Sequence, residues 1–478
     1  MMQFLIAAPS SGSGKTTVTC ALLTALKSRG MNPCAFKSGP DYIDPMFHRS
    51  ALEVSSHNLD LFLSGPGAVQ ALYAHYAAGH GAAVCEGAMG FYDGQGLTTR
   101  ASAWELADTL NLPVLLVVQP KGTSVTLAAQ ICGLQAFRTP SHIVGILLND
   151  CSEKLYTMLR PMLETETGLP VLGYLPHLPE VVIESRHLGL KTANEITNLR
   201  EKLDRLADAL VLDWDKLARQ TDRPVPESFS SEQLKLCGQY LHLHLDKTPT
   251  PWPGLPVFPG NNCKKSCVRI AVARDEAFCF TYAETLDVLQ TAGAELIFFS
   301  PVHDTMLPAD IHGLYLPGGY PELYARQLSE NLPMLSAIRQ AVSDGLPTVA
   351  ECGGFLYLGQ ELEDAEGAVY PMVGVLPGSG IKVGRLVRFG YATLTAETDS
   401  LLFHAGEHLP IHEFHHWDST DNGTAFSVLK SAKRQWRCGF ANAHFYAGFP
   451  HLYWAGSPLP RRFVATAAHY KREQRNDK

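Results

Sequence analysis

The segment Pro9-Ser10-Ser11-Gly12-Ser13-Gly14-Lys15-Thr16-Thr17 follows a short apolar run and opens an amphipathic stretch. Bare glycine N–H groups ahead of a helix N-terminus form a cradle for phosphate. Gly12, Ser13, Gly14 and Thr17 would line it, Lys15 would reach the outer phosphates, and the Thr16 hydroxyl suits Mg2+. Pro9 stands where the G-x-x-x-x-G-K-[ST] pattern has its first glycine. Far downstream, TVAECGGF (348–355) puts Cys352 between a predicted strand and a helix beginning near Gly353. A thiol at such an elbow faces the positive end of a helix, which favours thiolate and nucleophilic attack. The N–H of Gly353, with a second donor from Gly319 in the turn 317–320, could stabilise a tetrahedral oxyanion.

Two further segments carry charge to the ends of predicted strands. FKSGPDYIDPMFH (36–48) holds Lys37, Asp41 and Asp44, and CEGAMGFYDG (85–94) holds Glu86 and Asp93. In a parallel α/β sheet, loops at the carboxyl ends of strands line one crevice, so these groups would converge on the phosphate loop. Carboxylates there suit Mg2+, and Lys37 suits a phosphoryl group in transfer. The plainer reading makes 36–48 a turn organised by Gly-Pro and makes Asp93 a turn former before Gly94. A cysteine nucleophile also needs a base, and His412, His415, His416, His444 and His451 are all candidates by position. Spacing does not choose among them.

The elements that must hold these groups come in two series. Apolar runs at 4–8, 33–36, 81–85, 113–118 and 142–148 alternate with helical stretches, and a second alternation uses 268–273, 295–299, 313–317 and 347–350. That rhythm predicts α/β architecture, with two doubly wound domains built on parallel sheets. Between them lies TPTPWPGLPVFPG (248–260), whose prolines preclude regular helix. The expected division is 1–246, a proline-rich linker over 247–266, and 267–478.

Composition narrows the class of function. The chain has 478 residues, 46% of them hydrophobic and 18% charged, which suits sizeable cores. A net charge of −8 gives no reason to expect a nucleic-acid partner. The basic run at 471–475 is expected to be a frayed, solvated tail. No membrane-spanning apolar run and no signal-like N-terminus occur, so a cytoplasmic location is expected. The 11 cysteines are scattered as in a reduced protein. Cys263 and Cys267 lack the second ligand pair a zinc site would need.

FKSGPDYIDPMFH, EGAMGFYDG and ESRHLGL (184–190) resemble the synthetase half of cobyrinic acid a,c-diamide synthases, in the dethiobiotin-synthetase-like P-loop superfamily. LPGGYPE (316–322), AECGGFLYL (350–358) and HLYWAG (451–456) resemble class I glutamine amidotransferase domains of the corrinoid-synthase branch. The resemblance spans essentially the whole chain. It implies ATP and Mg2+ at Lys15, Thr16, Lys37, Asp41 and Glu86, substrate contact or activation near Tyr42, Asp44 and Asp93, and a nucleotide-base contact at Asn149. Gln119-Pro120 departs from the acidic residue expected after its strand. Cys352 is implied as nucleophile and His451 as its base, with His444 in reserve. Other members of the amidotransferase class have glutamate two residues after that histidine. Tyr453 occupies the place here, so a Cys-His dyad is implied. IHEFHH (411–416) resembles a family segment that would either face a tetrapyrrole or serve the core.

The resemblance implies an ATP-dependent ligase that takes ammonia from glutamine and amidates the a- and c-acetates of cobyrinic acid through acyl phosphates, in cobalamin biosynthesis. The same chemistry on hydrogenobyrinic acid or nickel sirohydrochlorin is the nearest alternative. A P-loop ATPase switch with a degenerate glutaminase domain is the alternative of another class. The implied partners are small molecules: glutamine, ATP and a corrin-type tetrapyrrole. A homodimer is allowed.

Overall fold

The computed structural model describes residues 1–179, 181, 185–186, 189–190, 198–224, 268–431 and 434–476. The linker 247–266, with Cys263 and Cys267, lies outside them, as do the side chains of 184–190. The chain divides into two compact units, Met1–Cys237 and Gly238–Lys478.

The N-terminal unit is a sheet flanked by helices, and its strands are β1 (Met2–Ala7), β2 (Pro33–Ser38), β3 (Ser55–Leu59), β4 (Ala82–Glu86), β5 (Val114–Val118), β6 (Ile143–Asn149) and β7 (Val171–Leu175). They run in parallel in the order β7-β6-β5-β1-β4-β2-β3, with Val211–Leu212 antiparallel beyond β7. Helices on both faces explain why β1, β2, β4, β5 and β7 are buried along their whole length. The expected 4–8, 33–36, 81–85, 113–118 and 142–148 all coincide with these strands. β3 was not expected, because SSHNL lacks the apolar run of an interior strand; it lies at the sheet edge beside β2.

α1 (Lys15–Ser28) begins directly after Gly14, which adopts a left-handed φ of 86°. A side chain on Gly14 would also collide with Asn149, whose Nδ2 lies 2.0 Å from an ideal Cβ. The strand-to-helix turn thus requires glycine for both φ and space. α2 (Ile43–Ala51) is capped by Asp41, whose Oδ1 accepts from Ile43 N at 2.8 Å and Asp44 N at 3.3 Å.

The C-terminal unit holds a six-stranded sheet in which Ala294–Phe299, Val268–Ala273, Gly313–Leu316, Thr348–Glu351 and Phe445–Gly448 are parallel neighbours and Phe440–Asn442 is antiparallel at the edge. A second, antiparallel sheet pairs Arg388–Ala396 with His408–His415, and the latter with the two-residue strand His451–Leu452. The basic run 471–475 is not a frayed tail: it continues the helix Leu459–Asn476.

Candidate functional site

In the N-terminal unit the phosphate loop, Lys37, Glu86 and Asn149 all lie at the carboxyl ends of parallel strands. β2 and β4 run side by side with Lys37 opposite Glu86. Register alone therefore brings two residues 49 apart in sequence into an ion pair, Nζ to Oε1 at 2.7 Å. Lys37 also bonds Asp44 Oδ2, and the Thr16 hydroxyl donates to Glu86 Oε1 at 2.7 Å and lies 3.5 Å from Asp44 Oδ2. Lys37, Asp44 and Glu86 are all buried. Burial opposes the Lys37 charge, yet Asp44 and Glu86 hold its pKa above the ordinary lysine range. Burial raises the Glu86 pKa, against the pull of Lys37.

The two aspartates differ in how they meet the cluster. Asp41, expected beside the metal, has one oxygen committed to the α2 cap and the other 3.9 Å from Lys37. Asp44, expected toward the substrate, is the second residue of α2, three beyond the capping Asp41, and points into the cluster with Thr16 and Lys37. Tyr42 is buried beside them, and Asp93 is exposed, its Oδ2 accepting from Gly90 N at 3.1 Å.

Among the described residues no three His, Cys, Asp or Glu side chains form a ready-made metal cage. The donors nonetheless fit Mg2+: a hydroxyl and two carboxylates are all hard oxygen ligands, and the buried Glu86 Oε2 has no hydrogen-bond partner. Lys37 holds the compensating positive charge between them.

Lys15 folds back over the loop, donating to the carbonyls of Ser10, at 3.3 Å, and Met89. Burial and then Lys37 bring its pKa down to about 8. Asn149 donates from Nδ2 to Ser13 O at 3.2 Å, so its amide nitrogen supports the loop. Asn58 on the unexpected β3 donates to the carbonyls of Gly39, at 3.0 Å, and Asp41, at 2.6 Å, pinning the turn that aims Asp44. A buried asparagine in a polar strand was the available signal.

In the C-terminal unit Cys352 leaves its strand with φ 47° and ψ −100°, a conformation rare for a side-chain-bearing residue. Its N–H donates to Gly448 O at 2.8 Å and its carbonyl accepts from Leu356 N at 3.0 Å, which fix the elbow from both sides. An ideal Cβ on Gly353 would lie 3.0 Å from Gly319 N, so the two glycines predicted to supply oxyanion donors face each other. An ideal Cβ on Gly318 would lie 2.7 Å from His451 Cε1 and 3.5 Å from Cys352 Cβ. Gly318 belongs to the turn 317–320 expected to supply an oxyanion donor, and the space it leaves adjoins both the Cys352 and His451 side chains.

His451 is thus brought to Cys352. His444 is exposed, and its carbonyl accepts from Thr348 N, at the end of the nucleophile strand away from Cys352. His412 is buried in backbone register with His451. His415 is buried, stacks on Phe449 with ring centroids 3.8 Å apart, and pairs with Glu413 at 3.2 Å. Both histidines lie close enough to His451 to act on its charge. Burial, then His412 and His415, bring the His451 pKa down to about 3, so its resting imidazole is neutral, and the same surroundings oppose the imidazolium. The expected resting thiolate does not follow: burial first, then Glu322, Glu413 and Glu351, push the Cys352 thiol well above its usual range. The helix after it is short, Gly353–Tyr357, and its dipole is outweighed.

Residues 4–190 match the CobQ/CobB/MinD/ParA nucleotide binding domain, and residues 269–458 match the CobB/CobQ-like glutamine amidotransferase domain. The cobyrinate a,c-diamide synthase of Clostridium acetobutylicum is 38% identical over 96% of this chain and 98% of its own. That of Caldanaerobacter subterraneus subsp. tengcongensis is 37% identical over 94% of each chain. The Salmonella typhimurium enzyme of the same name is 35% identical over 95% of each. No helix among the described residues is long and apolar enough to cross a membrane. With both site geometries in place and similarity along nearly its full length, this chain belongs to the cobyrinate a,c-diamide synthase family, as a nucleotide-binding P-loop domain joined to a glutamine amidotransferase domain.

Proposed function

We propose that the chain amidates the a- and c-acetates of cobyrinate with ammonia from glutamine, at the expense of ATP, in cobalamin biosynthesis. The division of labour proposed is a ligase domain over 1–246, a linker over 247–266 and a glutaminase domain over 267–478. The observation that carries the reading is the adjacency of Cys352 and His451 around Gly318, in a chain that also holds the Lys15 loop.

In the glutaminase, His451 takes the thiol proton as Cys352 Sγ attacks the side-chain amide carbon of glutamine. Gly319 N–H and Gly353 N–H receive the oxyanion. The C–N bond breaks, the imidazolium returns its proton to the departing ammonia, and water cleaves the thioester to release glutamate. In the ligase, an acetate oxygen attacks the γ-phosphorus of ATP and ADP leaves. Ammonia then attacks the acyl carbon, and phosphate departs with its oxygen. The carboxylate needs this activation because, unphosphorylated, it offers no leaving group.

Thr16, Glu86 and Asp44 would hold Mg2+, with Asp41 beyond them. The ion would offset phosphate charge during transfer. Lys15 and Lys37 neutralise the transferring group, Gly12, Ser13, Gly14 and Thr17 line the phosphates, and Asn149 faces the base. Tyr42 and Asp93 are proposed at the substrate side. Free thiols at the buried Cys20, Cys85 and Cys438 support a reducing cytoplasmic location. A homodimer is proposed as the assembly, to be tested by light scattering.

The deciding experiment incubates the protein with cobyrinate, glutamine and ATP–Mg2+ and weighs the products by mass spectrometry, with hydrogenobyrinate and nickel sirohydrochlorin in parallel. A two-amide product from cobyrinate, with stoichiometric glutamate, is expected. No amide on any of the three macrocycles overturns the proposal.

A further inference from the structure

The position that holds a glutamate in other amidotransferases of this class is Tyr453, whose buried ring packs edge-on against Tyr282 with centroids 5.1 Å apart. A carboxylate nevertheless reaches the imidazole from a different place in the chain. Glu351, the residue immediately before the nucleophile, ends the strand Thr348–Glu351, and its Oε2 lies 3.9 Å from His451 Nδ1. Both side chains are almost fully buried, at 1% and 3% exposure, so water does not screen the pair.

The strand geometry explains the arrangement. Successive side chains point to opposite faces of a sheet, and here the strand breaks at Cys352 into the elbow. Cys352 is directed to the Gly318 side while Glu351 stays beneath, where Trp454 Nε1 donates to Oε1 at 3.1 Å. Tyr315 supplies a second donor, from the neighbouring parallel strand. The Leu452 N–H is a third donor; together the three fix the carboxyl, and the oxygen away from Trp454 is the one turned toward His451.

We propose that Glu351 is the positioning residue of the glutaminase, its carboxyl facing His451 Nδ1 at ion-pair range, 3.9 Å, so as to bias the ring toward the orientation with Nε2 at the Cys352 thiol and to support the imidazolium formed during attack. This deepens the glutaminase reading and rests on it. In the usual triad logic the third member fixes the tautomer and stabilises the charged base. Glu351 offers both from the residue preceding the nucleophile. The classes of group that face this pair are few: Tyr315, Tyr446 and Cys352 lie around Glu351, and His412 and His415 around His451. None of these is a fixed cation. Burial brings the Glu351 pKa up to about 8. Its carboxylate form, the better support for an imidazolium, therefore grows as pH rises through about 8.

The test compares wild type with Glu351→Gln, which can still accept from Trp454. Glutaminase kcat and KM are measured from pH 6 to 9.5, alongside amide synthesis from ammonium chloride. Expected for the variant are a 10- to 100-fold lower glutaminase kcat, a KM for glutamine within about twofold, loss of the rise through about pH 8, and unchanged synthesis from ammonium. A kcat and pH profile equal to wild type would overturn the assignment, as would equal loss of both activities at an unchanged melting temperature. Should Glu351→Gln not fold, Glu351→Asp, which keeps the charge and withdraws it from the imidazole, takes the same measurements and the same results decide. Absence of glutamate release by wild type would instead sink the glutaminase reading itself, a result distinct from these.

Discussion

Lys37 Nζ and Glu86 Oε1 lie 2.7 Å apart, opposite one another on adjacent parallel strands and both buried. The pair is joined by Asp44 and Thr16, so one ammonium offsets two buried carboxylates where oxygen ligands for Mg2+ are also gathered. Lys37 is thus a structural counter-ion as well as the group proposed to meet phosphate.

Lys37→Met should leave those carboxylates without their cation. Breaking a buried pair from one side costs about 3–5 kcal/mol. The unfolding step of the N-terminal unit should move to lower urea, and millimolar Mg2+ should restore part of the shift. An unchanged midpoint would mean that Lys37 does not hold the cluster together.

The different settings of Asp41 and Asp44 predict different phenotypes. Asp44→Asn should raise the Mg2+ concentration needed for half-maximal synthesis by tenfold or more. Asp41→Ala should chiefly remove a helix cap, at a cost of about 1 kcal/mol. Mg2+ titrations of ammonium-dependent synthesis separate the two, and the reverse ranking would return Asp41 to the inner position.

Lys15→Ala should abolish synthesis from glutamine and from ammonium alike. The pKa of about 8 adds a pH signature. As pH rises through that value Lys15 loses its proton, while bound phosphate favours the charged form, so nucleotide binding at pH 8.5 should take up a proton. Calorimetry in buffers of different ionisation enthalpy measures this directly; zero uptake would contradict it.

Cys352→Ser should lose glutamine-dependent synthesis yet retain synthesis from ammonium. Because His451 stays neutral down to about pH 3, the acid limb expected of an ordinary imidazole near 6.5 should be missing from the glutaminase profile. His451→Ala should lower glutamate release by at least a hundredfold, whereas His444→Ala should not. The opposite pattern would make His444 the base.

Gly318→Ala tests the geometry without touching a titratable group. Its new methyl would fall 2.7 Å from His451 Cε1, inside contact distance, and should displace the ring. Glutaminase kcat should fall at least tenfold with little change in unfolding midpoint, and a fully active variant would show that the ring has room to move.

Fold class was legible because parallel strands buried on both faces must be short continuous apolar runs, as 4–8 and 113–118 are. β3 was hidden for the complementary reason: an edge strand filled by Ser56, His57 and Asn58 carries no such run. Likewise Lys15, Thr16, Glu86 and Cys352 stood out because a strand end followed by glycine exposes a side chain by local geometry alone.

By itself, the sequence determined which chemical groups stand at strand ends and in what order, since backbone conformation and hydrophobic period are local properties. Only the tertiary structure decided which of two aspartates bonds Lys37 beside Thr16, which histidine lies next to Cys352, and that Glu351 faces that histidine. Those choices depend on the register of strands distant in the chain and on which side of an elbow a side chain falls. Burial then set the protonation states, holding His451 neutral and Cys352 a thiol, because the cost of a charge depends on everything packed around it.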